Sequence, residues 1–291
     1  MENILEVKNL RKEYNGFALK NISFTLEKGY IMGFIGPNGA GKTTVIKLIM
    51  NLVKRDGGEI KVFGMDNIKD EIAIKEKIGF VYDDSYFYEE LSIHEMKGII
   101  APFYRQWDDH AFNKYLRDFD LPPQKKIKDL SRGMKMKFAL AVALSHHADL
   151  IIMDEPTSGL DPVFRNEILD ILRDLMQDES KGVLFSTHIT TDLDKVADYI
   201  TFINKGELVL TGPKDDILDC YGIVKGGREV LDHATGQLLI GIRDTGFGFE
   251  ALTGDAARAR RLFGDSVVIE RPSLEDIMVY TVREDRYAKP D

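Results

Sequence analysis

The sequence lacks three features that would place a protein outside the cytosol or inside a membrane. Its 291 residues include one cysteine, Cys220, so no internal disulfide can form. The longest uninterrupted apolar run, Phe138 to Leu144, is seven residues, whereas a membrane-spanning helix needs roughly 20. The N-terminal MENILEVKNL lacks the basic and then apolar pattern of a secretion signal. These absences predict a protein of the reducing cytosol that does not itself cross a membrane.

An excess of positive charge is also missing. The chain has 39 Lys plus Arg against 48 Asp plus Glu, a net charge of −9. This balance argues against broad, salt-dependent binding to nucleic acid, so no nucleic-acid partner is expected. Hydrophobic residues make up 44% of the chain, which is ample for the core of one large domain or two domains.

Strand and helix patterns alternate along most of the chain. The run IMGFIG predicts a strand, and KTTVIKLIMNLVK after it has the apolar spacing of a helix. Later, LIIMD and GVLFSTH predict buried strands, residues 162–177 and 190–200 predict helices, and ITFINKGELVLTG predicts a hairpin turning at 204–206. This alternation predicts an α/β fold with a largely parallel sheet covered on both faces.

Two segments depart from this alternation. Residues 92–148 are mostly helical in pattern, opened by Ser92 with Glu95 three residues later as a capping box. From about residue 221 the chain has glycine-rich joints, short strands and two helical pieces, DAARARRLF and SLEDIMVYTV. We therefore predict a domain over residues 1–220 with a helical insert at about 92–148, and a small C-terminal α/β domain over residues 221–291.

The segment GPNGAGKTT matches G-x-x-x-x-G-K-[ST] between a strand and a helix. Its glycines let backbone N–H groups surround phosphates, Lys42 can reach the β- and γ-phosphates, and Thr43 can ligate Mg²⁺. The alternative, a glycine-rich turn that matches by chance, fits the flanking elements poorly. The predicted nucleotide-binding residues are Gly36, Pro37, Asn38, Gly39, Ala40, Gly41, Lys42, Thr43 and Thr44.

The predicted strand LIIMD ends in an acidic pair, Asp154 and Glu155. At the end of a strand the two side chains can diverge, so that Asp154 faces a metal ion and Glu155 a water molecule. Asp154 is then a direct or indirect partner of Mg²⁺, and Glu155 the base that polarises the attacking water. An isolated acidic pair would more often cap a helix or line a solvated turn.

With LSRGM at 130–134, SGLD at 158–161 and STH ending at His188, these motifs resemble the nucleotide-binding subunit of an ABC transporter over roughly residues 1–215. The segment LSRGMK and the C-terminal segment SLEDIMVY resemble a narrower group, the ATP-binding subunits of small bacterial exporters of antibiotics, amphipathic peptides or related compounds. The resemblance implies a P-loop NTPase fold with an ABC-type core, Mg²⁺-dependent ATP hydrolysis coupled to transport, and a position on the inner face of the cell membrane.

The resemblance also implies two partners. In this family two such subunits stack head to tail as a homodimer or heterodimer, and a transmembrane permease subunit receives their motion. Each ATP lies between the phosphate loop of one subunit and the signature of the other, so Ser131 and Gly133 would contact the partner's γ-phosphate. Arg132 and Met134 stand where the usual LSGGQ has its first glycine and its glutamine. Asp161 would link the two ATP sites, and it can cap the helix beginning at Pro162 at the same time.

Three further residues receive roles from the resemblance. His188 would contact the γ-phosphate and position the water, and Tyr14 matches the aromatic residue that stacks on adenine, although it could be ordinary core. In IGFVYDDSYFYEELS, Asp83, or else Asp84, occupies the place of a glutamine that contacts Mg²⁺. A carboxylate is a stronger Mg²⁺ ligand than an amide. The alternative for this loop is a solvated linker whose acids have no role.

Two surface features leave alternatives open. The aromatic residues of APFYRQWDD, Trp107 among them, and the loop residues Tyr86 and Tyr88 are candidates for contact with the permease, or else ordinary core and surface. A basic set near the signature either adds to the phosphate-binding potential or forms a solvated face; it comprises Lys125, Lys126, Lys128, Arg132, Lys135 and Lys137.

A soluble ABC-type ATPase or a nucleotide-dependent regulator not engaged in transport is the alternative function. ABC-type ATPases of translation normally carry two cassettes in one chain, and those of DNA repair have a long coiled coil within the cassette. Here Lys42 and Ser131 are 89 positions apart with no heptad run between them, which argues against the repair type.

Overall fold

The computed structural model describes residues 2–82, 87–231 and 237–287. The chain forms two compact units, Met1–Thr211 and Gly212–Asp291. This division falls earlier than the expected boundary after residue 220, so the helix Lys214–Cys220 belongs to the second unit. The residues Asp83, Asp84 and Tyr86, for which roles were predicted, lie outside the described residues.

Among the described residues, ten strands form one sheet in the order β5-β4-β1-β2-β10-β9-β3-β8-β7-β6. The strands are β1 (Asn3–Tyr14), β2 (Phe17–Glu27), β3 (Ile31–Ile35), β4 (Gly57–Val62), β5 (Met65–Asp66), β6 (Ile78–Val81), β7 (Leu150–Asp154), β8 (Gly182–Thr187), β9 (Tyr199–Asn204) and β10 (Glu207–Pro213). The helices of the first unit are α1 (Lys42–Ile49), α2 (Glu71–Lys75), α3 (Ile93–Ile100), α4 (Asp109–Asp118), α5 (Arg132–Ser145), α6 (Pro162–Leu175) and α7 (Thr190–Val196).

The sheet is parallel over only half its width. The neighbours β9, β3, β8, β7 and β6 pair in parallel, whereas β1 pairs antiparallel with β2 and β4, and β4 with β5. The prediction of a largely parallel sheet is therefore wrong for the pairings of β1 and β4, whereas β2 pairs in parallel with β10 on its other side. Short turns join β1 to β2 and β4 to β5, and only antiparallel strands can be joined so closely.

The parallel half places the functional motifs at one edge. All five residues of β3 are buried between β8 and β9, as expected of a continuous apolar run in a parallel sheet. Ile35 pairs with Thr187, and Asp154 pairs with Ser186, so the ends of three strands coincide. The segments that follow β3, β7 and β8 therefore begin side by side.

The region 92–148 is helical, with α3, α4 and α5 joined by short 3₁₀ turns. The capping box is present, because the Ser92 hydroxyl accepts from the N–H of Glu95 and the Glu95 carboxylate accepts from the N–H of Ser92. Asp108 caps α4 through its carboxylate, which accepts from the N–H groups of His110 and Ala111. These caps satisfy backbone donors that the helices themselves leave unpaired.

The second unit contains an antiparallel sheet of order β12-β13-β11-β14. Its core includes Val224, Phe249 and Phe263. No helix in the described part of the chain is long and apolar enough to span a bilayer. The elements are α8 (Lys214–Cys220), β11 (Gly222–Gly226), β12 (Ile240–Asp244), β13 (Phe249–Thr253), α9 (Ala256–Phe263), β14 (Val267–Glu270) and α10 (Leu274–Tyr287).

Candidate functional site

The segment from Gly36 to Thr44 forms the loop between β3 and α1 and the first residues of α1, and two of its glycines, Gly36 and Gly41, leave no room for a side chain. A Cβ on Gly36 would lie 2.3 Å from the carbonyl oxygen of Ile203, and one on Gly41 would lie 2.7 Å from Leu19 Cδ2. Gly41 also has φ of 111° at the start of α1, a conformation that favours glycine. The loop lines a cleft of about 450 Å³, which Phe17 and Glu155 complete.

Lys42 is fixed at the mouth of this loop. Its side chain is only 6% exposed, and Nζ donates to the carbonyl oxygen of Gly36 at 2.7 Å. The same ammonium lies 3.1 Å from Oε1 of Glu155. A nearly buried cation beside a glycine-rich helix N-terminus fits the phosphates of a nucleotide.

Glu155 is held between Lys42 and His188. Its Oε2 lies 2.7 Å from Nδ1 of His188 and accepts from the His188 N–H at 3.3 Å. The backbone of Glu155 has φ of 51°, an uncommon conformation for a residue other than glycine. Lys42, Glu155 and His188 belong to three separate motifs, and the structure brings them into contact with Glu155 in the middle. This arrangement is expected when the ends of parallel strands meet.

Asp154 lies behind this chain and is 2% exposed. Ser186 Oγ donates to its Oδ1 at 2.5 Å, and the hydroxyl of Thr43 also donates to it. Burial raises the pKa of Asp154, the charge of Glu155 adds to this rise, and the two hydroxyl donors oppose it. The motifs did not predict Ser186; its pairing with Asp154 follows from the register of β7 and β8.

The side chains beside Lys42 can contribute oxygen ligands to a metal ion. The described residues contain no group of three or more His, Cys, Asp or Glu side chains that could hold one. A metal here would draw on the Asp154 carboxylate, the Thr43 hydroxyl and phosphate oxygens. This all-oxygen set with few protein ligands fits Mg²⁺, which is commonly bound through one or two carboxylates plus substrate phosphates.

Two aromatic residues face each other at the end of the first hairpin. Tyr14 pairs with Phe17 across the turn, is 45% exposed, and has Lys12 Nζ 5.4 Å from its ring centroid. Phe17 instead lines the phosphate-loop cleft, and a Cβ on Gly41 would lie 2.9 Å from its Cζ. Sequence reasoning missed Phe17, although an aromatic residue directly opposite Tyr14 was a usable signal.

The signature residues lie together at the start of α5. Ser131 caps this helix by accepting from the N–H of Met134 at 3.2 Å, and Gly133 is buried against the ring of Phe164 on α6. As far as the chain is described, the lining of the phosphate-loop cleft includes none of the residues 131–134.

Asp161 caps α6. Its carboxylate accepts from the N–H groups of Val163 at 2.9 Å and Phe164 at 3.1 Å. The capping role that the sequence left open is thus present in the structure, and it leaves the predicted dimer role untouched.

Most of the basic set near the signature is paired with carboxylates. Lys128 contacts Glu90 at 2.9 Å, and Lys126 contacts the same carboxylate at 3.4 Å. Lys135 pairs with Glu89, and Lys137 pairs with Glu167. These ion pairs favour the interpretation of Lys126, Lys128 and Lys135 as a solvated, charge-balanced face, whereas Lys137 is buried.

The aromatic residues of the insert divide between core and surface. The Tyr104 ring stacks on His146 at 3.9 Å, and Trp107 packs 5.3 Å from Phe112, so both belong to the insert's own packing. Phe103 and Tyr88 are instead 75% and 65% exposed.

Several known proteins are similar to this chain. The model of the ABC transporter family matches residues 19–158. The linearmycin resistance ATP-binding protein LnrL of Bacillus subtilis is 34% identical over 75% of this chain and 72% of its own length. The bacitracin transport ATP-binding protein BcrA of Enterococcus faecalis is 33% identical over 72% of this chain and 69% of its own. A solved ATP-binding subunit of an ABC transporter is 28% identical, with a TM-score of 0.68 over 74% of this chain and 92% of that one.

The chain therefore belongs to the family of ABC transporter ATP-binding proteins. Its fold is that of the family's P-loop ATPases, and its activity is ATP hydrolysis that drives transport.

Proposed function

We propose that this chain hydrolyses Mg²⁺-bound ATP in the cleft at the end of β3 and β7. The observation that carries the proposal is the convergence of Lys42, Glu155 and His188, with Asp154 and Thr43 beside them. Three separate motifs supply these side chains. Such a set provides charge neutralisation, a carboxylate base and metal ligands, which are the requirements of phosphoryl transfer to water.

Each side chain has a distinct task in this proposal. Lys42 and the loop's N–H groups bind the β- and γ-phosphates and neutralise their charge. Thr43 and Asp154 would hold Mg²⁺, which withdraws negative charge from the phosphate oxygens when bound. Glu155 accepts a proton from the attacking water, and His188 fixes the orientation of that carboxylate through its 2.7 Å contact.

A second ATP-binding subunit completes the site in this proposal. Residues 131–134 do not line the phosphate-loop cleft of their own chain within its described part, which supports a role for this signature at a partner's nucleotide. Ser131 and Gly133 would contact the partner's γ-phosphate, and Asp161 would link the two sites. ATP would favour the closed dimer, and hydrolysis would remove that preference. This difference between the two nucleotide states can drive a cycle of conformational change in the transporter.

The remaining partner is a transmembrane permease. Its cytosolic helices would dock on exposed side chains such as Phe103 and Tyr88, and the chain would then lie on the inner face of the cell membrane. The similarity to the linearmycin resistance and bacitracin transport proteins supports an antibiotic, a peptide or a related compound as the exported substrate.

The test compares ATP hydrolysis and ATP binding in the purified protein. We expect Mg²⁺-dependent turnover that Glu155→Gln lowers by at least roughly 10²-fold, with ATP binding retained. Glu179→Gln changes an exposed glutamate outside the site and serves as the control. A wild-type protein that binds ATP without turnover would show a nucleotide sensor instead.

Asp83 remains a proposed contributor to the metal site, on its position in the sequence alone. Asp83→Ala should impair Mg²⁺-dependent turnover more than ATP binding. Unchanged hydrolysis with unchanged Mg²⁺ dependence would reject this role.

A further inference from the structure

We propose that Arg132 is a positioning residue for the segment from Glu155 to Asp161 of its own chain, which we call the catalytic loop. Arg132 replaces the first glycine of the usual signature, and its guanidinium lies directly against Gly159 of the SGLD segment. A Cβ on Gly159 would lie 2.5 Å from Arg132 Nη1 and 3.2 Å from Cζ. The planar group therefore covers the one residue of this segment that has no side chain.

Gly159 is connected to Glu155 by two short turns. The N–H of Ser158 donates to the carbonyl oxygen of Glu155 at 3.1 Å, and that of Leu160 donates to the carbonyl oxygen of Thr157 at 3.2 Å. With φ of 67° at Gly159, this segment has a tightly specified path. A guanidinium seated on Gly159 restricts the displacement of the segment, and through it the placement of Glu155 beside Lys42 and His188.

The contact is separable from the packing that surrounds it. Gly133 is buried against Phe164, and Lys137 lies 5.0 Å from the same ring while pairing with Glu167. These contacts hold α5 against α6 independently of Arg132, which is exposed at its first turn. Replacing Arg132 should therefore loosen the catalytic loop without unfolding the unit.

The inference rests on the proposed function for its kinetic consequence. If Arg132 acts through Gly159, Arg132→Ala should lower kcat by roughly threefold to tenfold and leave KM for ATP within about twofold, since Ser131 and Gly133, the signature residues proposed to contact nucleotide, are unchanged. Arg132→Lys keeps the charge but lacks the planar group, so it should behave like Arg132→Ala. Arg173→Ala removes an exposed arginine from α6 and is the control.

A double-mutant cycle with Gly159→Ala tests the contact itself. In the wild-type background the new Cβ meets the guanidinium and strains a positive φ, whereas in the Arg132→Ala background only the strain remains. Gly159→Ala should thus lower both Tm and kcat more in the wild type than in Arg132→Ala. The effects on Tm can be measured even if the protein has no ATPase activity. The experiment therefore distinguishes an absent Arg132–Gly159 interaction from an incorrect proposed function.

Three results would overturn the inference. Additive effects of the two substitutions on Tm would show that the residues do not interact. A raised KM at unchanged kcat in Arg132→Ala would show that the side chain binds nucleotide directly. Full activity of Arg132→Lys would show that positive charge, and not coverage of Gly159, is what matters.

Discussion

Ser186→Ala should destabilise the first unit although Ser186 carries no catalytic role. The hydroxyl is fully buried and donates at 2.5 Å to Asp154, which is 2% exposed. A hydrogen bond to a charged group contributes about 1.5–3 kcal/mol. Thr43 still donates to Asp154 in the variant, so we expect a loss near the lower end, about 1.5–2 kcal/mol.

The loss should also depend on pH. Burial raises the pKa of Asp154 and the Ser186 hydroxyl opposes this rise, so the variant has the higher pKa. Once Asp154 is protonated it carries no negative charge, so the loss of the Ser186 hydroxyl destabilises the folded state less. The difference in unfolding free energy between wild type and variant should therefore be largest near neutral pH and shrink on acidification through the variant's pKa.

Urea unfolding followed by tryptophan fluorescence measures this loss. Trp107 is the only tryptophan, and it lies in the first unit, so its signal reports that unit alone. Ser180→Ala is a matched control because Ser180 Oγ donates to Asp178 at 2.6 Å with both residues exposed, and it should change stability by no more than about 0.5 kcal/mol. Equal effects of the two substitutions would refute the argument that burial gives the Ser186 bond its strength.

Three further outcomes follow from the described contacts. Gly206→Ala should lower the free energy of unfolding in urea by more than the roughly 1–3 kcal/mol of backbone strain, because its Cβ would lie 1.9 Å from the carbonyl oxygen of Ala18. Gly16→Ala is the control: Gly16 also has a positive φ but lies in open space, so this substitution should cost the strain alone. Burial lowers the pKa of His146 to about 4, so wild-type stability should fall by about 1.6 kcal/mol more than that of His146→Phe between pH 6.5 and 5; equal slopes would contradict this. Phe17→Ala should raise KM for ATP by roughly threefold to tenfold and by more than Tyr14→Ala, since Phe17 lines the cleft; the reverse order would assign base stacking to Tyr14.

The parallel core was predictable because its signals are local. LIIMD and GVLFSTH are short apolar runs that become β7 and β8, and the hairpin turn at Lys205 and Gly206 has φ of 47° and 76°, as a two-residue hairpin turn requires. The parallel pairing of β7 with β8 then brings Glu155 and His188 together in the structure, since the carboxyl ends of parallel strands share an edge.

The antiparallel strands were harder to predict for a physical reason. The pairing of β1 with β2 shifts register between Val7 and Leu10, and Asn9 within that interval has φ of 48°. An irregularity of this kind breaks the period of two that identifies a strand in sequence. The bond from Ser186 to Asp154 escaped notice for a different reason, since it joins residues 32 positions apart and depends on strand register.

The adjacent acids Asp154 and Glu155 show how one strand end separates two chemical roles. Asp154 receives neutral hydroxyl donors and is nearly buried, while Glu155 faces the ammonium of Lys42 and the imidazole of His188. The φ of 51° at Glu155 ends the extended conformation between the two residues. The charge of Glu155 still raises the pKa of Asp154, but the two carboxylates have separate partners: Asp154 accepts from the hydroxyls of Thr43 and Ser186, and Glu155 contacts Lys42 and His188. The strained backbone at Glu155 is thus best explained by the separation of these two roles.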